Sequence, residues 1–98
     1  MITPKQRAFL RKLAVSLDPV MQIGKDGLKE ESIEQINGLL EARELVKIKV
    51  LNNCDSQTKE LANMITIQTK CDVVQVIGKI IVLFRVSTKK GIKHIQLP

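Results

Sequence analysis

Residues 18–28, DPVMQIGKDGL, constrain the fold more than any other segment of this chain. The apolar run 20–23 is typical of a β-strand, and Gly24-Lys25-Asp26-Gly27 ends it before a helix pattern begins at about Leu28. A strand, a glycine-bounded turn and the start of a helix often combine to form an anion-binding site. Glycine lets the backbone approach closely, and the free N–H groups of the first helical turn point at the ligand. The segment therefore predicts a strand–loop–helix unit with a candidate phosphate site.

The length and composition indicate one globular unit. With 98 residues, 44% of them apolar and 27% charged, the chain suits a single domain over residues 1–98. No run approaches the roughly 18 apolar residues of a membrane span, and the first residues do not resemble a signal peptide, so we expect a cytoplasmic protein. Cys54 and Cys71 match no metal or redox spacing, which predicts two buried, reduced thiols.

The net charge of +6 is unevenly distributed. Residues 1–29 hold six basic and two acidic side chains, residues 30–46 one basic and five acidic, and residues 47–98 nine basic and three acidic. A basic chain with one acidic segment has a preferred side for a polyanion, which points to nucleic acid or an anionic membrane surface. Since Glu30, Glu31, Glu34 and Glu41 would repel phosphate, the body of the helix that carries them should face away from any nucleic acid.

Local signals predict three helices and four strands. Thr3, Pro4 and Gln6 form a capping box at the start of the first helix, which ends before Pro19. The other elements are a strand over 20–23, a helix over 28–42, a strand over 44–51, a helix from an N-cap at Asp55 to about residue 69, and strands over 72–77 and 80–86 joined by a turn at Gly78-Lys79.

This order predicts an α/β domain of the two-layer type: an N-terminal helix, then β-α-β-α-β-β. Right-handed crossovers would place the second and third helices on one face of a largely parallel sheet, with the last strand antiparallel. Residues 80–84 are apolar on both faces, which is typical of a central strand covered twice. We therefore expect the amphipathic first helix to cover the second face.

The residues give little support for catalysis. His94, the sole histidine, lies in the basic tail 87–98 without a nearby partner in sequence, so we expect it to be exposed. The loop has neither the Gly-Lys-Ser/Thr of a Walker motif nor the third glycine of a dinucleotide fingerprint. The glutamates of residues 30–41 have the spacing of a solvated face. We expect no enzyme activity, metal, cofactor or small-molecule substrate.

Contact with a phosphate backbone is the chemistry that remains. Phe9 and Phe84 are the only aromatic residues, and both are predicted to lie in the core, so no platform for base stacking is expected. KH domains clamp nucleotide backbone with a Gly-x-x-Gly loop. The same spacing also occurs in ordinary strand–helix turns, and basic residues on a helix are common on solvated faces. The residues alone leave these alternatives open.

Three segments in order add a family resemblance. PVMQIGKDGL at 19–28, ELVKIKV at 44–50 and VQVIGK at 74–79, followed by LFR at 83–85, resemble the CRM domain. The chain is most similar to the bacterial stand-alone, YhbY-like version, which is associated with ribosome maturation. The resemblance implies a mixed four-stranded sheet similar to the C-terminal domain of translation initiation factor three. It departs from the family at Lys29, where many members carry a small hydroxyl residue, and the tail 87–98 matches only loosely.

With this resemblance, we expect a monomer that binds structured ribosomal RNA while the large ribosomal subunit is assembled. Gly24 and Gly27 would let the loop approach a phosphate, Lys25 and Lys29 would supply charge, and Asp26 would oppose binding unless it caps the helix. The wider basic surface comprises Arg7, Arg11, Lys12, Lys47, Lys49, Lys79 and Arg85. Arg85 could equally pair with a buried acid.

The main alternative is a protein–protein adaptor on pre-ribosomal particles without direct RNA contact. A membrane-surface module is disfavoured, because no helix pairs a basic face with exposed bulky apolar residues. Few side chains look able to read base edges, so we expect recognition of RNA shape more than of sequence.

Overall fold

Three helices surround a mixed four-stranded sheet in the computed structural model, which describes residues 2–98. The elements in chain order are α1 (Pro4–Ala14), β1 (Met21–Ile23), α2 (Glu30–Arg43), β2 (Leu45–Val50), α3 (Thr58–Thr69), β3 (Asp72–Ile77) and β4 (Ile80–Phe84). Their order agrees with the prediction. Within residues 2–98, no helix has the length and apolar character to cross a membrane.

The sheet has the strand order β1-β2-β4-β3. Strand β1 is parallel to β2, whereas β4 is antiparallel to both β2 and β3. The predicted mixed sheet is confirmed. The expectation of a largely parallel sheet was wrong, because β4 lies between β2 and β3 and leaves a single parallel pair. The position of β4 at the centre explains why its side chains are apolar on both faces.

Each face of the sheet has its own core. One face packs against α2 and α3 through buried side chains that include Ile36, Leu40, Leu61, Ile65, Ile48 and Ile81. The other face packs against α1 through Leu10, Ala14, Leu45, Val74, Val82 and Phe84. The expectation that the first helix covers the second face is therefore confirmed. We refer to this second side of the sheet as the α1 face.

The start of α1 and the position of the β3–β4 turn were predicted accurately, because signals between residues close in the sequence define them. Thr3 and Gln6 form the predicted capping box, with N–O distances of 3.0 and 3.1 Å. Gly78 has φ 55° at the start of the β3–β4 turn, a conformation that favours glycine. The predicted cap at Asp55 is wrong. The chain first turns back at 51–54, where the Cys54 N–H donates to the Leu51 carbonyl, and α3 begins only after Gln57.

The two thiols are free and buried, as predicted. Burial raises the pKa of the Cys71 thiol. Since the thiolate is the reactive form, Cys71 is a packing residue at neutral pH rather than a nucleophile.

Candidate nucleic-acid interface

The loop 24–27 is a tight turn between β1 and α2. The Gly27 N–H donates to the Gly24 carbonyl at 3.0 Å, and Gly27 has φ 67°. A side chain at position 27 would be strained, because L-residues rarely adopt this conformation. At Gly24, by contrast, an added Cβ would lie 3.5 Å from the Leu51 side chain, an ordinary contact. The backbone geometry therefore requires glycine only at Gly27.

The N-terminus of α2, which follows this loop, has no side-chain cap. Lys29 occupies the N-cap position, and an ammonium group cannot accept a hydrogen bond from the first turn. The Lys29 N–H itself donates to the Ser32 hydroxyl at 3.1 Å. The N–H groups of the first turn are thus available to an external acceptor. The exposed Glu30 and Glu31 in that turn partly offset the positive helix end.

Asp26 forms an ion pair with Lys29. Its carboxylate lies 3.3 Å from the Lys29 ammonium, and both side chains are exposed. The suggested role of Asp26 as a helix cap is wrong, since Lys29 holds that position. The negative charge of Asp26 instead offsets one of the two positive charges of the loop, which belong to Lys25 and Lys29. A pair this exposed contributes little to stability, because water and salt screen it.

Two further segments lie at the same end of the sheet as this loop. The Leu51 N–H donates to the Ile23 carbonyl at 2.8 Å, and the Val50 N–H donates to the Lys79 carbonyl at 2.7 Å. These bonds join the end of β1, the end of β2 and the β3–β4 turn. We call the surface formed by residues 24–29, 51–53, 78–79 and Lys49 the loop end. It carries four exposed lysines, namely Lys25, Lys29, Lys49 and Lys79.

The basic residues of β2 continue this surface along the α1 face. Lys47 and Lys49 alternate with the buried Val46, Ile48 and Val50, which face α2 and α3, so both lysines point to the α1 face. The Lys47 ammonium donates to the Leu17 carbonyl at 3.0 Å, just beyond α1. Arg11 of α1 lines the same groove as Lys47. Lys12 is exposed on α1.

Arg7 and Arg85, which were predicted to belong to the basic surface, both donate hydrogen bonds within the fold. The Arg7 guanidinium donates to the carbonyls of Val73 and Val74, where β3 shifts register against β4. This contact anchors the start of α1 to the edge of the sheet.

Arg85 follows β4 at the end of the sheet opposite the loop end. Its guanidinium donates to the Asn37 side chain at 2.8 Å and to the Thr69 carbonyl at 2.6 Å, and it lies 3.5 Å from the Glu41 carboxylate. It therefore links α2, α3 and the sheet, and its partner Glu41 is half-buried rather than buried. The structure does not bring Arg85 together with the lysines of the loop end.

His94 is exposed, as predicted, but the expectation that it has no partner is wrong. Its Nδ1 lies 2.7 Å from Oε2 of the buried Glu44, which also accepts from the N–H groups of Ser87 and Ile95 at 2.7 Å each. An ionised carboxylate only accepts, so the proton of this bond resides on His94 Nδ1. Burial by itself raises the pKa of Glu44, but the hydrogen bonds from His94, Ser87 and Ile95 outweigh it and hold the pKa below its usual value.

This contact fixes the C-terminal tail, residues 87–98, to which the sequence analysis assigned no structural role. Ile95 and Leu97 pack against the α1-face core, and the Pro98 carbonyl accepts from the Gln6 side chain at 3.3 Å. In the sequence, the alternation of the apolar Ile95 and Leu97 with other residues was the signal that could have predicted this packing. Among residues 2–98, no cluster of three or more metal-ligating side chains is present.

Comparison with known proteins relates this architecture to a family. The model of the CRS1 / YhbY (CRM) domain matches residues 2–85. The chain is 42% identical over 98 residues to the Probable RNA-binding protein YqeI of Bacillus subtilis, covering 100% of both chains. It is also 42% identical to an RNA-binding protein of Haemophilus influenzae, covering 99% of this chain and 95% of that one.

A solved structure agrees with the fold. The solution structure of the hypothetical protein SAV1595 from Staphylococcus aureus matches with a TM-score of 0.81 at 47% identity, over 100% of both chains. The resemblance seen in the sequence motifs is therefore confirmed across the sheet and all three helices. The chain belongs to the CRS1 / YhbY (CRM) domain family.

Proposed function

We propose that this protein binds RNA through the loop end and the adjoining lysines of β2. The observation that carries the proposal is the convergence of four exposed lysines, from three separate segments, around an uncapped helix N-terminus. Two relatives that are 42% identical to this chain are named RNA-binding proteins, which supports the same partner here.

The contacts would be made mainly to phosphate. The N–H groups of the first turn of α2 would donate to one phosphate. Lys25 and Lys29 would neutralise the adjacent phosphates of the RNA backbone. Lys49 and Lys79 would extend this contact across the sheet end, with Arg11, Lys12 and Lys47 behind them. Lysine recognises phosphate as a point charge, so this surface selects the path of the backbone more than the base sequence.

The distribution of charge sets the orientation on the RNA. The exposed glutamates of α2, Glu30, Glu31 and Glu34, lie on the helix that packs on the other sheet face. Repulsion from phosphate would turn the body of this helix outward, with only its N-terminal end towards the RNA, and present the loop end and the α1 face. Arg7 and Arg85 would contribute to the overall field, while their guanidinium groups hold the fold together.

We further propose that the RNA is ribosomal and that the protein acts as a cytoplasmic monomer during assembly of the large subunit. Ultraviolet crosslinking in cells, followed by sedimentation of ribosomal particles, tests this. We expect the protein in large-subunit precursors, with RNA adducts on peptides of the loop end. Crosslinks to ribosomal proteins alone would favour the adaptor function instead.

A further inference from the structure

A groove between α1 and the sheet continues the basic surface away from the loop end. The space bounded by Arg11, Val15, Lys47, Gln75, Ile80 and Val82, which we call the α1 groove, has a volume of about 160 Å³. Pockets for drug-sized ligands hold roughly 300–1,000 Å³. The α1 groove therefore suits one flat ring system rather than a larger ligand.

The strand register explains how this groove is built. Gln75, Val82 and Lys47 lie directly opposite one another across β3, β4 and β2, and Ile77, Ile80 and Lys49 form the next row. Each row thus runs from an uncharged side chain on β3, over an aliphatic residue on β4, to a lysine on β2. The second row is about 7 Å closer to the loop end.

We propose that the α1 groove holds one unpaired nucleobase of the RNA bound at the loop end, so this inference rests on the proposed function. The base would lie on the aliphatic floor of Ile80 and Val82. The half-buried Gln75 carries both an amide donor and a carbonyl acceptor, which can bond to a base edge. The groove thus adds a contact with a base to a surface otherwise suited to phosphate.

The charges beside the groove favour a nucleotide over an uncharged ligand. Lys47 uses one of its three ammonium hydrogens on the Leu17 carbonyl and keeps two for a phosphate oxygen. The exposed Arg11 stands on the opposite wall, and Lys49 leads from the groove to the loop end. A strand that leaves the loop end along β2 would therefore carry its phosphates past lysines and its base over the groove.

Paired RNAs of equal charge test this proposal. Fluorescence anisotropy would compare a short single-stranded RNA with an RNA of the same length that is abasic throughout, at one salt concentration. We expect the RNA with bases to bind about tenfold more tightly, at the low end of the range for stacking on side chains because the floor is aliphatic. The Gln75→Ala variant should lose about fivefold for this RNA, the worth of one net hydrogen bond, and nothing for the abasic RNA.

The control is Gln35→Ala, which removes the same side chain from an exposed position of α2 on the other sheet face. It should leave both affinities unchanged. Methyl NMR of the wild-type protein should also show shifts of Ile80 and Val82 with the RNA that has bases, independently of any variant. Equal affinities for both RNAs, or equal losses in Gln75→Ala, would overturn the base site while leaving the proposed function intact. If neither RNA binds, the proposed function itself fails.

Discussion

The Nδ1 atom of His94 lies 2.7 Å from the Glu44 carboxylate, although 50 residues separate them in the chain. Glu44 also has φ 65°, a backbone conformation that side-chain-bearing residues rarely adopt. Strain of this kind persists only where surrounding contacts hold the residue in place. The bonds from the tail to this buried carboxylate supply such contacts, so Glu44 is one of the points at which the C-terminal tail is attached to the domain.

Replacing Glu44 by Gln should destabilise the protein by about 2 kcal/mol at neutral pH, because hydrogen bonds to a charged group are replaced by weaker neutral ones. Urea unfolding followed by circular dichroism measures this loss. The Glu41→Gln variant, at the half-buried carboxylate that accepts from Thr88 of the same tail, provides a control for removing one carboxylate.

The stabilisation that the Glu44 carboxylate provides should decrease as the pH falls. Since the folded-state pKa of Glu44 is lowered, its stabilisation is present above the unfolded pKa and is lost as the pH falls through the folded pKa. The difference in unfolding free energy between wild type and Glu44→Gln should therefore shrink on acidification. A difference that grows at low pH would show that the carboxylate is not the stabilising form.

The Arg85→Lys variant should lose stability while keeping its RNA affinity. Lysine retains the charge but not the planar fork that reaches both Asn37 and Thr69, at a cost of roughly 1.5–3 kcal/mol. Thermal melting and RNA titration of the same sample separate the two roles. Weakened RNA binding with an unchanged melting temperature would restore Arg85 to the RNA-binding surface.

The double variant Lys25→Ala and Lys29→Ala should weaken RNA binding across all sequences without lowering the melting temperature, because both side chains are exposed. The log–log dependence of affinity on salt should flatten by about one unit for each lysine that contacts phosphate. The matched control is Lys89→Ala with Lys90→Ala, which removes the same charge from the exposed tail. If both double variants bind alike, the loop is not a specific contact.

The Asp26→Asn variant should increase RNA affinity. It frees Lys29 from its ion pair and removes a negative charge from the loop end. The stability should change by less than about 1 kcal/mol, as is usual for an exposed pair. Titration with the RNA used above checks the first effect and urea unfolding the second. A lower affinity would mean that Asp26 holds Lys29 in its binding position.

The wild-type affinity should fall steeply with salt, by roughly 0.7 log–log units per phosphate neutralised on single-stranded RNA and about 0.9 on a duplex. Titrations over a series of salt concentrations give the slope, and hence the number of phosphates contacted. A flat response would contradict an electrostatic interface.

Contacts between residues that are close in the sequence could be predicted, whereas contacts between distant residues could not. The capping box of α1 joins Thr3 to Gln6, and the β3–β4 turn needs only Gly78-Lys79, so both were visible as local patterns. The period-two pattern of β2 likewise predicted that Lys47 and Lys49 share one face. The family motifs then identified the loop 24–27 as the candidate site.

Only the tertiary structure shows which charged side chains form contacts within the fold and which remain exposed. Arg7, Arg85 and Glu44 have partners 66, 16 and 50 residues away, and no periodicity in a sequence records contacts of that range. The sequence by itself therefore determined the helices and strands and the basic character of the chain, because helix caps, turns and strand alternation are short-range. The tertiary structure decided where the charged side chains lie. The insertion of β4 between β2 and β3 and the packing across the sheet bring the four lysines to one end and engage the two arginines elsewhere.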